Sequence, residues 1–333
     1  MTKTAVVLLN LGGPTEEKAI KPFLFNFFMD KNIIAAPLPI RFFIAKLIAY
    51  KRGNGPAQEA YGKMGGKSPL LENTLLQEKA LQEKLGGDFK VFTAMRYWHP
   101  FAHEVMQKVK EYAPDKIVLL PLYPQFSTTT VYSSFENFHA AAKDFKGQMI
   151  ERCCYPENSG FIKASAQLIA EKLKTAPAKT RLLFSAHGLP ENVIQSGDPY
   201  QWQCEKTAEA IVRELNIHDL DWQICYQSRV GPLKWIGPST EEALEKAGRE
   251  KVGVLVYPHA FVSEHVETIV EIGMEYREKS HALGIPWFDR VETVGTHPLF
   301  IDGLTQEVFR AVGGEQIPRI CPANFKRCGC ACV

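Results

Sequence analysis

Two short stretches carry side chains that could transfer protons or hold a metal ion. In the first, His187 follows an apolar run, Leu182–Ala186, which has the length of a buried strand and is ended by Gly188 and Pro190. Ligands in open α/β sheets bind where strands end, so this position predicts a site residue. The alternative is a hydrogen-bonded histidine of the core.

The second stretch, residues 263–276, combines a histidine with a stripe of acids. At 3.6 residues per turn, one helix face carries Glu264, Glu267, Glu271 and Glu275, with no Lys or Arg between them. The stripe is either an ordinary solvated face or a surface that attracts cations and relays protons. In a regular helix His265 lies about 200° from Glu267, so both face one cavity only near a frayed helix start or a π-bulge.

These side chains must be positioned by a fold that alternates strands and helices. Helical stretches separate eight strand-like runs, four in each half of the chain: Ala5–Leu11, Phe89–Arg96, Lys116–Tyr123, Gln148–Tyr155, Leu182–Ala186, Trp222–Gln227, Val252–Tyr257 and Pro286–Val291. Ser239 and Glu242 form a capping box that opens one of the helices. The alternation predicts an α/β protein with parallel sheets, in two similar lobes that face each other across a cleft.

Polar side chains stand at the ends of these runs. The set comprises Asn10, Arg96, Tyr123, His187, the segment Gln227–Arg229, and His259. Because the carboxyl ends of parallel strands meet at one edge, these residues predict the hydrogen-bonding rim of a small-molecule pocket.

One segment, Ala19–Arg52, is rich in large apolar residues interleaved with Lys and Arg. One interpretation is a helix pair packed on the core. The other is an exposed apolar lip with a basic fringe, which could admit a flat apolar ligand and rest on an anionic membrane.

The composition limits the class of protein. The chain has 333 residues, a formal net charge of +2 and eight cysteines. A net charge this small does not predict a nucleic-acid-binding protein. We find neither a signal peptide nor an apolar run long enough to span a membrane. We therefore expect a reduced, cytoplasmic protein, with the lip as a peripheral contact on the inner face of the cytoplasmic membrane.

Six motifs resemble those of the ferrochelatase family over nearly the whole chain. They are LLNLGGP at Leu8–Pro14, AMRYWHP at Ala94–Pro100, LYPQFSTTT at Leu122–Thr130, LLFSAHGLP at 182–190, YQSRVGPLKWIGPST at Tyr226–Thr240, and PHAFVSEHVETIVEI at Pro258–Ile272. The resemblance implies the chelatase fold, with two Rossmann-like lobes whose four-stranded parallel sheets are flanked by helices. It also implies insertion of Fe²⁺ into protoporphyrin IX to give protohaem, with release of two protons.

The resemblance divides the chain into three parts. Residues 1–147 with about 297–320 form the N-terminal lobe and carry the lip. Residues 148–296 form the C-terminal lobe with His187 and the acidic helix. Residues 321–333 are a cysteine-rich tail.

The resemblance also assigns roles to the residues selected above. His187 either abstracts pyrrole protons or ligates the metal, and Glu267 is its acidic metal or proton partner. His265 and Glu271 are neighbours on the same helix. The residues implied to contact the porphyrin are Asn10, Leu11, Arg52, Arg96, Tyr97, Tyr123 and Trp235.

Four thiols crowd the tail: Cys321, Cys328, Cys330 and Cys332. Four cysteines suit either a [2Fe–2S] cluster or a zinc site, and the family favours the cluster. The spacing departs from the animal pattern. All four ligands would therefore come from the tail, or Cys154 could replace one of them.

Other functions remain open at this point. A non-catalytic tetrapyrrole carrier would need no proton acceptor, so the pair His187 and Glu267 argues against it. A chelatase for cobalt or for coproporphyrin III is the nearer alternative. The tail is compatible with a monomer or a homodimer.

Overall fold

Two four-stranded parallel sheets organise the computed structural model, which describes residues 3–229, 233–315 and 319–332, without the side chains of residues 331 and 332. The chain divides into two compact units. The first unit holds most of residues 3–154 and the last helix from Leu304 onward. The second holds residues 155–303, the short segment Pro124–Phe126 and the tail from Arg319.

The sheet of the first unit has the strand order β2-β1-β3-β4. Its strands are β1 (Thr4–Asn10), β2 (Phe89–Met95), β3 (Lys116–Pro121) and β4 (Gln148–Glu151). All seven residues of β1 are buried. An uninterrupted apolar run of this kind is expected for a strand that is paired on both sides and covered on both faces.

The sheet of the second unit repeats the pattern with the order β6-β5-β7-β8. Its strands are β5 (Thr180–His187), β6 (Trp222–Gln227), β7 (Gly253–Tyr257) and β8 (Phe288–Arg290). The prediction of two four-stranded parallel sheets is confirmed. The strand β5 runs one residue further than predicted, so His187 is its last residue and lies opposite Gln227 of β6.

Helices connect the strands. Those before β4 are α1 (Ile20–Phe28), α2 (Leu38–Gly53), α3 (Pro56–Gly62), α4 (Leu70–Leu85), α5 (Ala102–Tyr112) and α6 (Ser133–Ala141). Those after it are α7 (Ser159–Leu173), α8 (Glu191–Gln195), α9 (Tyr200–Leu215), α10 (Thr240–Glu250), α11 (Arg277–Ala282) and α12 (Pro298–Val312). The structure also has π-helices at Thr128–Tyr132 and Glu267–Tyr276 and short 3₁₀ turns at Glu17–Ala19 and Gly329–Cys332. None of the described helices combines the length and the apolar character that crossing a bilayer requires.

Three predicted strands are at least two residues shorter than expected. The strands β4 and β8 end at Glu151 and Arg290, and each pairs with only one neighbour. An edge strand gains ladder hydrogen bonds on one side only, so its apolar flanks do not extend it. The strand β3 ends at Pro121, where the missing N–H leaves no donor for the ladder.

Candidate active site

The ring of His187 is oriented by the backbone immediately after β5. Its Nδ1 lies 2.6 Å from the carbonyl oxygen of Gly188, while the Gly188 N–H donates to the Gln227 carbonyl at 2.8 Å. A carbonyl can only accept, so Nδ1 carries the proton in the neutral ring. The lone pair of Nε2 is therefore free for a proton or a metal ion. The side chain is 36% exposed, so this lone pair can reach a ligand.

Glu267 lies between two imidazole rings. Its Oε1 is 3.6 Å from His187 Nε2, and its Oε2 is 3.4 Å from Nε2 of His265. The Nδ1 of His265 faces the Ser263 carbonyl at 3.0 Å, so this ring too is fixed by a backbone acceptor. All four residues belong to the second unit. One carboxylate with an imidazole at each oxygen is an arrangement that can hold a divalent cation or pass a proton.

A π-helix explains how His265 and Glu267 meet. The helix runs from Glu267 to Tyr276, and His265 lies in the turn before it. The 200° separation of a regular helix therefore does not apply here. Such π-segments recur at functional sites, where they redirect side chains.

Glu271 is held by a set of donors beneath this pair. Its oxygens accept from Ser228 N at 2.9 Å, Ser228 Oγ at 2.5 Å, Gln227 Nε2 at 3.1 Å and the Tyr276 hydroxyl at 2.9 Å. Burial, and next the negative charge of Glu267, raise the pKa of Glu271. This carboxylate can therefore take up a proton at a higher pH than an ordinary glutamate.

The pKa of His265 is raised as well, but for a different reason. Burial opposes its charging, but a hydrogen bond and charge attraction from Glu267 outweigh that cost and raise the pKa of His265. Both side chains can therefore hold a proton at a higher pH than the free side chain does. Titratable groups with shifted pKa values of this kind cluster at functional sites.

The acidic residues do not form the single stripe that helical spacing predicts. Glu264 precedes the π-helix, and both its oxygens lie 2.9 Å from Arg290 Nη1, while Oε1 also accepts from Thr293 N. Glu275 is exposed to solvent, whereas Glu271 is largely buried among its hydrogen-bond donors. The prediction failed because it assumed a regular α-helix from residue 263 onward. Only Glu267 and Glu271 belong to the site around His187.

Trp235 lies against the loop that carries His187. It forms an isolated antiparallel bridge with Pro190, and a Cβ built on Gly188 would come within 3.3 Å of its ring. The neighbouring residues 230–232 lie outside the described part of the chain. Trp235 is half-buried. A ring at this place can shape a pocket beside His187. Its contact with the porphyrin stays a prediction.

In the first unit, Arg96 and Tyr97 converge on an acid that the sequence did not reveal. The buried carboxylate of Asp30 accepts from Arg96 Nη2 at 3.0 Å and from the Tyr97 hydroxyl at 2.7 Å, and it is also hydrogen-bonded to Ser133. Burial is the main cause that raises the pKa of Tyr97. Asp30 is a lone acid inside the apolar run Phe23–Ile34, and that was the available signal.

The other predicted porphyrin contacts of the first unit are more scattered. The amide of Asn10 is buried and engages Thr74 Oγ1 at 3.0 Å and the Leu11 N–H at 2.8 Å. Tyr123 and Leu11 are half-buried, and burial raises the pKa of Tyr123. Arg52 is half-buried near the end of α2. Their roles in binding stay predictions.

The helix α2 exposes the apolar residues of the predicted lip. Its buried residues are only Ala45, Ala49 and Gly53. Its exposed large apolar residues are Leu38, Ile40, Phe42, Phe43, Leu47 and Tyr50. Between α1 and α2 lies a groove of about 550 Å³, flanked by Lys21 and Lys46. The segment is a helix pair, as the first interpretation held, and it also carries the apolar surface of the second.

Three tail thiols in the second unit are linked in a chain, Cys321 to Cys328 and Cys328 to Cys330. Cys321 and Cys328 are buried and Cys330 is half-buried. A hydrogen bond with the Cys328 thiol, followed by burial, raises the pKa of Cys321, and Cys328 is hydrogen-bonded to Cys330 in turn. The side chain of Cys332 lies outside the described part. In the first unit, the Sγ atoms of Cys153 and Cys154 are 3.3 Å apart.

Comparisons with known proteins identify the family and the fold. A family model described as Ferrochelatase matches residues 3–312. The Ferrochelatase of Rickettsia felis is 46% identical, over 98% of this chain and 98% of the relative. That of Caulobacter vibrioides is 48% identical, over 98% and 97%. The solved structure of SirB from Bacillus subtilis with Fe³⁺ has a TM-score of 0.57 at 11% identity, covering 94% of this chain and 97% of that chain, which shows a shared fold.

Proposed function

The chain belongs to the ferrochelatase family and is a metal chelatase that inserts iron into a porphyrin for haem synthesis, and from that premise we propose that its ring is protoporphyrin IX and that His187 and Glu267 carry the reaction. The observation that supports these roles is the placing of one carboxylate between two imidazoles, 3.6 Å from His187 Nε2 and 3.4 Å from His265 Nε2. Fe²⁺ is the substrate in this reaction. Its incorporation displaces two pyrrole protons.

The chemistry assigned to each residue follows from its surroundings. Because Nδ1 of His187 is committed to the Gly188 carbonyl, Nε2 is the atom that accepts a pyrrole proton or ligates Fe²⁺. The imidazolium formed by proton abstraction would be stabilised by Glu267. Glu271, whose pKa is raised, would then receive the proton and release it. Oxygen and imidazole ligands suit a ferrous ion that must be delivered and given up again.

The decisive experiment compares His187→Ala with His218→Ala, because the side chain of His218 is fully exposed elsewhere in the second unit. We expect His187→Ala to lower turnover about 100-fold or more while porphyrin still binds, because a positioned base contributes about that much. Turnover is followed anaerobically with Fe²⁺ by the loss of free-porphyrin absorbance. Wild-type turnover in His187→Ala would remove His187 from the mechanism.

The same assay addresses the choice of ring and of function. Protoporphyrin IX and coproporphyrin III are offered in parallel, and faster insertion into coproporphyrin III would contradict the proposed ring. Binding of both rings without turnover would favour the carrier.

The lip is proposed to rest on an anionic membrane surface. Exposed apolar residues of α2 and the cations Lys21 and Lys46 beside its groove support this partner. The apolar side chains would be buried in the membrane surface, and the lysines would pair with anionic lipid headgroups. Phe43→Glu should abolish co-sedimentation with anionic vesicles. Ile217→Glu, at an exposed apolar residue of the second unit, should not. Equal binding by both variants would contradict the lip as the contact.

The tail is proposed to hold a [2Fe–2S] cluster through its cysteines. The fit rests on the donor set, since Cys328 is hydrogen-bonded to both Cys321 and Cys330, and Cys321 and Cys328 are buried. When bound, such a cluster accepts or donates one electron. Cys332 would complete the set. An anaerobic preparation should be brown and contain iron and sulfide, and Cys328→Ser should bleach it. A colourless wild type with bound zinc would overturn the cluster.

A further inference from the structure

One buried glutamine connects the tail to the interior of the second unit. Gln203 lies in the first turn of α9 and is fully buried. Its Oε1 accepts a hydrogen bond from the backbone N–H of Phe126 at 2.7 Å. Its Nε2 donates to the Sγ of Cys321 at 3.1 Å. Both ends of the amide are therefore engaged, one by the main chain and one by a tail sulfur.

The partner of Oε1 fixes the orientation of this amide. A backbone N–H can only donate, so Phe126 must face the oxygen of Gln203 and the amide cannot be flipped. The NH₂ group is then left facing Cys321. An amide nitrogen only donates, so the sulfur at this place is an acceptor. Sulfur accepts best as a thiolate, the form in which it ligates metals.

We propose that Gln203 is the hydrogen-bond donor that positions the Cys321 sulfur for a thiophilic metal or cluster in the tail. The proposal rests on the metal-binding tail proposed above. Groups that hydrogen-bond to metal ligands orient them, and their removal typically weakens metal binding about 10- to 100-fold. Gln203 would act in this way on Cys321, and it is a positioning residue and not a ligand.

The tail also contacts the residues around the start of α9, close to Gln203 in the sequence. The Arg327 N–H donates to the Gly197 carbonyl at 3.1 Å, and the ring of Phe325 lies 6.0 Å from that of Trp202. A Cβ at Gly197 would be 3.0 Å from the Lys326 nitrogen, so the tail passes close to the residues that precede α9. Gln203 and Cys321 thus belong to two segments, the start of α9 and the tail, that also contact each other through neighbouring residues. A site arranged in advance binds its ligand without the cost of ordering the chain.

The test measures Cd²⁺ binding to protein from which metal has been removed, under anaerobic conditions, through sulfur-to-cadmium charge-transfer absorbance. This band reports thiolate ligands and is silent on the oxygen and nitrogen donors around His187. Gln203→Met should weaken Cd²⁺ binding about 10-fold or more. The matched control is Gln201→Met, because Gln201 lies in the same turn of α9 and its side chain is hydrogen-bonded to Glu205 at 3.2 Å.

A second variant separates the two ends of the amide. Gln203→Glu keeps an oxygen for the Phe126 N–H but loses the donor to Cys321. We expect Cd²⁺ affinity to fall while the Phe126 amide remains protected from hydrogen exchange. The unfolding midpoint without metal is recorded for each variant, so that a loss of affinity in a protein that is still folded counts for the proposal.

Two results would overturn the proposal, and only one of them also contradicts the proposed cluster. If Cys328→Ser abolishes the thiolate band but both Gln203 variants bind Cd²⁺ as tightly as wild type, Gln203 has no part in the site. If Cys328→Ser leaves the band unchanged, the tail is not the metal site, and the proposed cluster fails together with the role of Gln203. Iron insertion is untouched by either result.

Discussion

Replacing Glu267 by glutamine removes the charge that lies against both imidazoles while it keeps the shape of the side chain. The nearest approach to the proposed base is 3.6 Å, between Glu267 Oε1 and His187 Nε2. When His187 takes up a pyrrole proton, that contact becomes an attraction between opposite charges. Glu267→Gln should therefore raise the free energy of the proton-transfer step and leave porphyrin binding nearly unchanged.

The size of the effect can be worked from the distance and the exposure. Two unit charges at about this separation attract by about 4 kcal/mol at the effective dielectric of a protein surface and by about 1 kcal/mol in bulk water. The side chains of His187 and Glu267 are 36% and 26% exposed, so solvent screens part of the attraction. Taking about half of the larger value gives about 2 kcal/mol, which corresponds to about a 30-fold loss of kcat.

The assay follows the loss of free-porphyrin fluorescence under anaerobic conditions at saturating Fe²⁺. Porphyrin affinity is measured separately by fluorescence quenching, so that binding and turnover are not confused. Glu275→Gln is the matched control, because Glu275 is an exposed acid of the same π-helix. Equal losses in the two variants would mean that only the overall charge of the helix affects turnover. A wild-type kcat in Glu267→Gln would refute the reasoning.

Three further predictions concern packing, pH and an ion pair. Gly160→Ala should destabilise the fold by about 3 kcal/mol or more, because its Cβ would lie 2.2 Å from a backbone oxygen of α12. Gly62→Ala should leave the same urea titration unchanged, because no atom beyond its neighbours along the chain lies within 4 Å of the Cβ that it adds. Burial lowers the pKa of His259 to about 3, whereas the unfolded chain has a value of about 6.5. Because the unfolded chain then binds a proton that the folded protein does not, about 2 kcal/mol of stability should be lost between pH 7 and pH 5, and His259→Asn should abolish that loss. Asp30→Asn should cost about 3 kcal/mol of stability and weaken porphyrin binding, because Arg96 loses its buried partner; an unchanged unfolding midpoint and quenching curve would contradict this.

Features set by nearby residues could be predicted from the sequence. The eight strands follow from apolar runs that are ended by Gly, Pro and polar residues, and the capping box predicted at Ser239 and Glu242 is confirmed, with both of its hydrogen bonds formed. The position of His187 at a strand end also follows from a local pattern. Each of these inferences needs only the residues within one element.

Contacts between distant residues could not be predicted in the same way. Asp30 meets Arg96 across 66 positions, and Gln203 meets Cys321 across 118. A buried polar group is costly unless it is paired, so every such residue needs a partner. The sequence does not say which partner the fold will supply. An acid in an apolar run therefore predicts that a partner exists, but it leaves the identity open.

The turn before the π-helix shows how local chemistry can still set the geometry of the site. The Oγ1 of Thr268 accepts from the His265 N–H at 3.0 Å and donates to Glu264 at 2.6 Å, and Glu264 is in turn paired with Arg290. These bonds hold His265 outside the helix, so the angular spacing of helical residues does not govern its ring. Glu267, as the first residue of the π-helix, faces both imidazoles. The acids thus divide by task, because Glu264 fixes the turn while Glu267 has the role proposed for it beside His187. A stripe of like charges that no regular helix would favour is explained by this division.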